Sequence, residues 1–510
     1  MHLAHPAARG LIWTLTGILI ACGADTERKD HSLKEEKAGQ GTALFERLSN
    51  ERTGISFANV VEENEDQNYY TYEYLYNGGG VALGDIDNDG LTDIYLTGNL
   101  VPDKLYLNEG DLRFRDITTE AITTGGDGWH SGVVMADVNG DGLLDIYVCR
   151  AGWYADPEKR RNLLYINNGD RTFREEAARW GVDDTTRSTH AAFFDMDRDG
   201  DLDLFVLNTP IQSKVQLSNR DIARLIAERR SPTDRLFRND GDHFEDITSE
   251  AGIWNMGYGL GVAIADLDDD GWPDIHVSND YVERDFLYMN QGDGTFRDEA
   301  LNRYRHISNF GMGCDAADLN NDGLMDLIEL DMVSADHVRS KKNMGSMDPD
   351  KFRNMVAAGL HHQYMINTLQ LNRGDGQFSE VGQLAGVART DWSWAPLFAD
   401  LDNDGLKDLL VTNGYKRDMR DNDYMITARA YAESGTPVRR EQMLALVPTT
   451  RIRDHLFVNR GDLHFEDVSE AWGFDRAINS NGAAYGDLDG DGDLDLVINH
   501  IDEPVSVLRN

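Results

Sequence analysis

The sequence predicts an all-β fold, a seven-bladed β-propeller with some helical insertions, and three observations predict it. A nine-residue acidic loop recurs seven times along 510 residues. Each copy is flanked by short apolar or β-branched runs of strand length. Most copies are followed by two further runs joined by an Asn/Gly/Asp turn, the chemistry of a hairpin. Four antiparallel strands per unit and seven units describe a propeller.

In the first loop carboxylates occupy positions one, three, five and nine, at Asp85, Asp87, Asp89 and Asp93, with Gly90 at six. The second has Asp137, Asn139, Asp141 and Asp145; the third Asp195, Asp197, Asp199 and Asp203; the fourth Asp266, Asp268, Asp270 and Asp274. The fifth has Asp318, Asn320, Asp322 and Asp326; the sixth Asp400, Asp402, Asp404 and Asp408; the seventh Asp487, Asp489, Asp491 and Asp495. Position seven, whose backbone carbonyl would add an oxygen, is Leu91, Leu143, Asp201, Trp272, Leu324, Leu406 and Asp493. Calcium takes six to eight oxygen ligands in loose geometry. Alternate side chains on a tight turn can supply them, and the glycine permits the bend. Without a cation, three or four carboxylates would crowd into one small volume and repel. The expectation is up to seven structural Ca²⁺ ions.

An EF-hand would need a bidentate Glu at position twelve, leading into a helix. Position twelve here is Leu96, Val148, Val206, Val277, Glu329, Val411 and Ile498. Runs such as Ile94-Tyr-Leu-Thr97 and Leu204-Phe-Val206 follow the loops, so each loop reads as a hairpin turn. Third strands are Lys104–Asn108, Asn162–Asn167, Arg235–Asn239 and Phe286–Asn290. Fourth strands begin at Phe114, Phe244 and Phe465. The seventh repeat lacks a fourth strand, and Phe45-Glu-Arg-Leu-Ser49 has the pattern without a blade of its own. It is expected to complete blade seven and remove the open sheet edges.

Formal net charge is −41. Seven divalent cations would offset only part of it. The remainder argues against nucleic acid, whose phosphates need clustered Lys and Arg. Cys149 and Cys314 lie in different repeats and read as free thiols rather than a disulfide. Residues 1–22 read as a targeting segment. Leu11–Ile20 is too short to span a bilayer, and Leu19-Ile20-Ala21-Cys22 resembles the lipobox of bacterial lipoproteins. By that resemblance Cys22 is lipidated, on a protein of the bacterial cell envelope and its outer membrane, either surface-exposed or periplasm-facing. Residues 23–42 are polar and charged and read as a disordered tether. The propeller would occupy 43–510.

The repeats resemble the FG-GAP/VCBS repeats of integrin α-subunit propellers, and more closely the CRTAC-like family, whose members often carry a C-terminal ASPIC/UnbV domain. The likeness rests on Thr53-Gly-Ile-Ser-Phe57, Tyr76-Asn-Gly-Gly-Gly-Val81, the seven aspartate loops and turns such as Asn290-Gln-Gly-Asp-Gly-Thr-Phe296. It implies a calcium-bearing propeller over roughly residues 43–510. No activity of the extra domain is carried over.

Alternation of strands puts the acidic loops and the Asn/Gly/Asp turns on one face. Long insertions at about Thr209–Thr233, Asp331–Tyr364 and Thr412–Arg453 fall on the other. There, Asp221–Glu228 and Arg440–Leu446 have helical periodicity. Tyr69, Tyr70, Tyr72, Tyr74, Trp129, Trp254, Tyr258, Trp392 and Trp394 collect near that face. They either plug the central funnel and pack between blades, or form a stacking platform for sugar or peptide. His190, His361 and His362 read as solvated loop residues rather than ligands or acid–base groups. No Ser-His-Asp spacing, P-loop or CxxC signature stands out. The leading expectation is a calcium-stabilised, lipid-anchored binding or scaffold protein whose insertion face takes a protein or glycan ligand. The alternative is an enzyme, a lyase or hydrolase, acting on extracellular polysaccharide.

Overall fold

The computed structural model of the chain describes residues 43–510 apart from 123–127, 212–217, 229–231, 282, 344–348 and 436–438. The leader, Cys22 and the tether lie outside the described residues. Seven antiparallel sheets form the blades of a propeller. In blade two, Trp129–Ala136, Asp145–Ala151, Leu163–Asn167 and Phe173–Glu175 pair in chain order. Blades one and three to six repeat that order, and blade six gains a fifth strand, Met332–Val333, from the insertion in blade five. Blade seven holds Ser480–Gly486, Asp495–His500 and Ser506–Arg509. Its outermost strand is Glu46–Arg47, with Glu46 opposite Arg509 and Arg47 opposite Leu508. Backbone pairing between the two ends of the described chain therefore seals the ring.

The second strands are buried along their whole length, because a central strand in a blade is covered on both faces by its neighbours. That explains their continuous apolar runs. Each junction between adjacent blades carries its own hydrophobic cluster. Between blades one and two, for example, Ile86, Tyr95 and Leu105 meet Val133, Ile146 and Tyr165. The innermost strands approach closely. A Cβ at Gly132 would lie 2.6 Å from the Thr189 carbonyl oxygen of the next blade, and one at Gly261 would lie 2.5 Å from that of Met312. They line a central channel of about 360 Å³.

Phe45 sits at the seal. It is 3% exposed and packs edge-on against Phe474, with ring centroids 5.8 Å apart, and beside Trp472. We expect Phe45→Ala to cost about 3 kcal/mol through lost burial and the cavity left behind. A urea midpoint within a few tenths of a molar of the parent's would refute that.

One end of the channel is closed by aromatics. Tyr72, Tyr74 and Tyr76 from the segment before blade one pack with Trp129, Tyr258, Trp392 and Tyr415 in a single buried cluster. Tyr72 and Trp129 are 2% and 1% exposed, so their faces are not offered to solvent as a platform. Trp254 stands apart, half-buried, with its backbone N–H donated to the Tyr288 hydroxyl. Tyr70 is exposed. The insertions carry helices Asn219–Glu228, His337–Lys342, Pro349–Ala357, Asn422–Ser434 and Arg440–Leu446. The first and third of these pack through Ile222, Met355 and Leu360.

Candidate metal centres

Every acidic loop connects the first and second strands of its blade, so all seven lie at the same end of the ring. The insertions leave the second strands of blades three, five and six at the opposite end. Within each loop the carboxylates fold the backbone around themselves. The first one accepts the N–H of the glycine at six, at 2.7–3.2 Å. The fifth accepts the N–H of residue seven, from Leu91, Leu143, Asp201, Trp272, Leu324, Leu406 and Asp493, at 2.9–3.0 Å. Residue four turns left-handed in every copy: Asn88 at φ 57°, Gly140 at 71°, Arg198 at 62°, Asp269 at 58°, Asn321 at 57°, Asn403 at 59° and Gly490 at 77°. The glycine at six is left-handed too, so two reversals separated by one residue wind the loop into a cup.

The ninth aspartate is buried, about 1% exposed in blades one to five and seven and 0% in blade six. One of its oxygens accepts the N–H of loop residue two at 2.9–3.2 Å. The other accepts the backbone N–H of the asparagine that ends the third strand, at 2.7–2.9 Å. Those asparagines are Asn108, Asn167, Asn239, Asn290, Asn372, Asn459 and Asn510, and sequence reasoning saw several only as turn residues. Each side-chain amide donates to the carbonyl of loop residue two in the preceding blade, at 2.7–3.0 Å. Asn108 reaches Leu488 and Asn510 reaches Leu401, so the clasp runs around the whole circle. Residue two is always apolar (Ile86, Val138, Met196, Leu267, Leu319, Leu401 and Leu488) and is buried between blades. Each acidic loop is thus pinned to its own blade and to the next.

The third carboxylate is the test of whether a cation fits. Asp87, Asp197, Asp268, Asp402 and Asp489 each hold an Oδ1 shielded from solvent with no hydrogen-bond partner. A buried carboxylate oxygen without a donor is costly, and a cation in the cup removes the cost. The geometry agrees. Asp85, Asp87 and Asp93 offer oxygens within 4.8 Å of one another, as do Asp195, Asp197 and Asp199; Asp266, Asp268 and Asp274; Asp400, Asp402 and Asp404; and Asp487, Asp489 and Asp495. These clusters could hold metal ions. In the remaining two loops the third residue is Asn139 or Asn320. Their amide oxygens accept the N–H of Asp141 at 2.9 Å and of Asp322 at 3.1 Å. Those two cups hold one charge fewer, and the third oxygen already has a donor.

Burial and the neighbouring carboxylates push the ninth aspartates upward. Asp93, Asp145, Asp203 and Asp274 rise to about 7, and Asp326, Asp408 and Asp495 to about 6. An acid whose folded pKa exceeds its unfolded value binds its proton more tightly when folded, so folding is favoured on the acid side. In metal-free protein we therefore expect stability to fall as pH rises from about 4 to about 7 and then to level off. Excess calcium should flatten that slope. Urea midpoints at stepped pH, in chelator and in calcium, check both; a metal-free midpoint that rises over this range would contradict the assignment.

Two histidines read as solvated lie inside the fold, His190 half-buried and His361 buried. His190 lies on the inner strand of blade three, Arg187–Phe194, and lines the channel, where burial lowers it to about 4. His361 is 9% exposed at φ 69° and is also lowered to about 4. Periodicity hides this, because the channel-facing side of an inner strand is not marked by apolarity. His362 is exposed. Cys149 is buried in the second strand of blade two, and Cys314 lines the channel.

A family model for the FG-GAP-like repeat matches residues 85–148, 153–206, 266–328, 347–411 and 444–498. Cartilage acidic protein 1 of Xenopus tropicalis is 31% identical over 246 residues, 46% of this chain and 33% of that protein. The Homo sapiens protein is 30% identical over 197 residues, 34% and 28%. The Mus musculus protein is 22% identical over 404 residues, 66% and 57%. The chain thus spans between about a quarter and somewhat over half of these relatives' lengths. A solved structure described as the structural basis of recognition of non-reducing terminal N-acetylglucosamine by an Agrocybe aegerita lectin aligns over 84% of this chain and 86% of its own. Its TM-score is 0.41 at 14% identity, too loose to support an inference. With matched repeats covering more than half of its length and each carrying an acidic hairpin loop, the chain belongs to the FG-GAP-like repeat family, in a form similar to cartilage acidic protein 1.

Proposed function

We propose that the protein is a calcium-stabilised extracytoplasmic binding module. Its acidic loops hold the ring together from one end, and its insertions present a ligand surface at the other. The observation that carries this is the shielded, partnerless Oδ1 at position three of five loops, on a ring whose long insertions all leave from the opposite end. Calcium fits better than magnesium because the cups are acidic, oxygen-only and irregular. In this reading the ligands are the carboxylates at one, three, five and nine with the carbonyl at seven. Loops are free to vary where the scaffold does not need them, which suits that end to recognition of a protein or glycan. A lipid on Cys22 would tether the module to a bacterial outer membrane; the support is the segment Leu19–Cys22.

Metal analysis of the purified protein tests the first half, and fewer than about five bound calcium ions would refute it. Glycan and protein arrays probed with the calcium-loaded chain test the second. Retention without turnover supports a binder, and cleavage of a retained polysaccharide would favour the enzyme reading. Acyl labelling that is absent from the parent chain, or unchanged in Cys22→Ser, would refute lipidation at Cys22.

A further inference from the structure

On the insertion side of the ring, a pocket of about 250 Å³ opens between the segment before blade one and blades four to six. Its walls are aromatic. Trp392 and Tyr415 lie face to face, with centroids 3.8 Å apart and planes 5° apart, which fixes a rigid surface. Tyr281 also lines it, with a φ of 67° that is unusual for a bulky residue; Asp280 accepts its N–H at 2.6 Å. Outliers of this kind persist where the surroundings over-determine them, often around a ligand.

The charges in this pocket are its unusual feature. Arg420 lies over the Phe310 ring at 4.6 Å, and its nitrogens reach only the sulfurs of Met332 and Met365. Among the described residues it forms no ion pair or hydrogen bond with a carboxylate, and Asp280 and Asp331 act on it only through space. The neighbouring cations are all paired: Lys416 with Asp502, Arg417 with Glu63, and Arg339 with Asp391 and Asp418. Glu73 is half-buried in the same pocket and, among the described residues, its carboxylate has no ion pair or hydrogen bond. Its backbone is held by the Tyr415 hydroxyl, which donates to its carbonyl at 3.0 Å. Glu73 and Arg420 line one cavity without pairing with each other. Two further polar atoms on its lining residues lack partners: the Trp392 Nε1–H, on a residue nine-tenths buried, and the Asn77 Oδ1. Asp280, by contrast, is satisfied by Tyr74 and Tyr281 and belongs to the wall.

Unpaired charges of opposite sign, held apart in one half-enclosed aromatic space, match a ligand that carries both signs itself. The half-buried rings of Tyr69, Tyr281 and Trp394 in the pocket's lining suit an ammonium group through cation–π attraction, with Glu73 as its counter-ion. Arg420 suits a carboxylate. A net-neutral ligand also escapes repulsion by a chain of net charge −41. We propose that this pocket binds a small zwitterion of amino-acid size, with its ammonium at Glu73 and the aromatic walls and its carboxylate at Arg420. This rests on the reading of that side as the ligand surface and names the chemistry it takes.

Calorimetry on the full calcium-loaded chain tests it, with glycine betaine, L-alanine, L-leucine and L-phenylalanine as probes. Choline and propionate carry one charge each, and N-acetylglucosamine carries none. At least one zwitterion should bind about tenfold more tightly than either singly charged control. Glu73→Gln and Arg420→Gln should each weaken it about tenfold with the melting temperature unchanged. The inference is overturned if no zwitterion binds, if choline or propionate binds as well, or if both variants bind like the parent. Should a variant melt early, the comparison of probes on the parent chain decides alone. A protein or glycan captured on the arrays with no zwitterion bound would sink this inference and leave the wider reading intact.

Discussion

Chelation should lower the melting temperature by roughly 10 °C. With calcium at about ten times its Kd, each site adds about 1.4 kcal/mol, and seven sites add on the order of 10 kcal/mol. An unfolding entropy of about 2 cal/mol/K per residue gives roughly 1 kcal/mol/K for a propeller of this size, hence the shift. The effect should be cooperative, because each loop is fastened to the next blade through its second residue. A cup that splays on losing its ion pulls on the ninth aspartate, and through it on the asparagine that reaches across. Restoring calcium should recover the melt, and magnesium should recover less, since it demands near-ideal octahedral geometry. Titration should separate the five cups with an aspartate at position three from those with Asn139 and Asn320. Differential scanning calorimetry in calcium and in EDTA checks the prediction, and superimposable traces would mean that the carboxylates hold no structural ion.

Much of the fold is legible because its signals are local. The acidic loop, the β-branched run after it and the Asn/Gly/Asp turn all lie within one repeat, and seven repetitions leave little choice of architecture. The helices at Asp221–Glu228 and Arg440–Leu446 likewise announce themselves by period. The clasp does not, because its partners are distant: Asn167 meets a carbonyl 81 residues away and Asn108 one 380 residues away. Its trace in the sequence is an apolar residue at loop position two and an Asn ending each third strand. Both are easily assigned to burial and to turn chemistry. The left-handed fourth residue is hidden differently. Asn88, Asn321 and Asn403 suit it, but Arg198 does not, and only the repeat makes Arg198 readable. The aromatic plug was visible as a collection of rings, while its burial depends on how the segment before blade one crosses the channel mouth. The pocket beside it escapes sequence reading altogether, since Glu73 and Arg420 are some 350 residues apart with no motif around either.

Replacing Asn290 by Asp should be among the most damaging single changes available, at about 4 kcal/mol. The two side chains have nearly the same shape, so packing is conserved and the effect isolates the clasp. The Asn290 amide donates to the Met196 carbonyl at 2.8 Å and to the Pro273 carbonyl at 3.2 Å, and its oxygen accepts the Gly292 N–H at 2.9 Å. An aspartate keeps the acceptor and turns the donor into an oxygen facing two carbonyls. It also adds a charge beside Asp274, already raised to about 7 by burial and by Asp268 and Asp270. Asn290→Ala removes both functions but adds no charge, so it should cost less, about 2 kcal/mol. The order Asp worse than Ala distinguishes a broken hydrogen-bond clasp from simple loss of volume, which would rank them the other way. Lowering the pH should rescue the Asp variant relative to the Ala variant, because a protonated carboxyl regains a donor for the Met196 carbonyl. Urea midpoints of the two variants at neutral and acid pH measure this, and an Asp variant as stable as the parent at neutral pH would show that the blades are held together by their hydrophobic junctions alone.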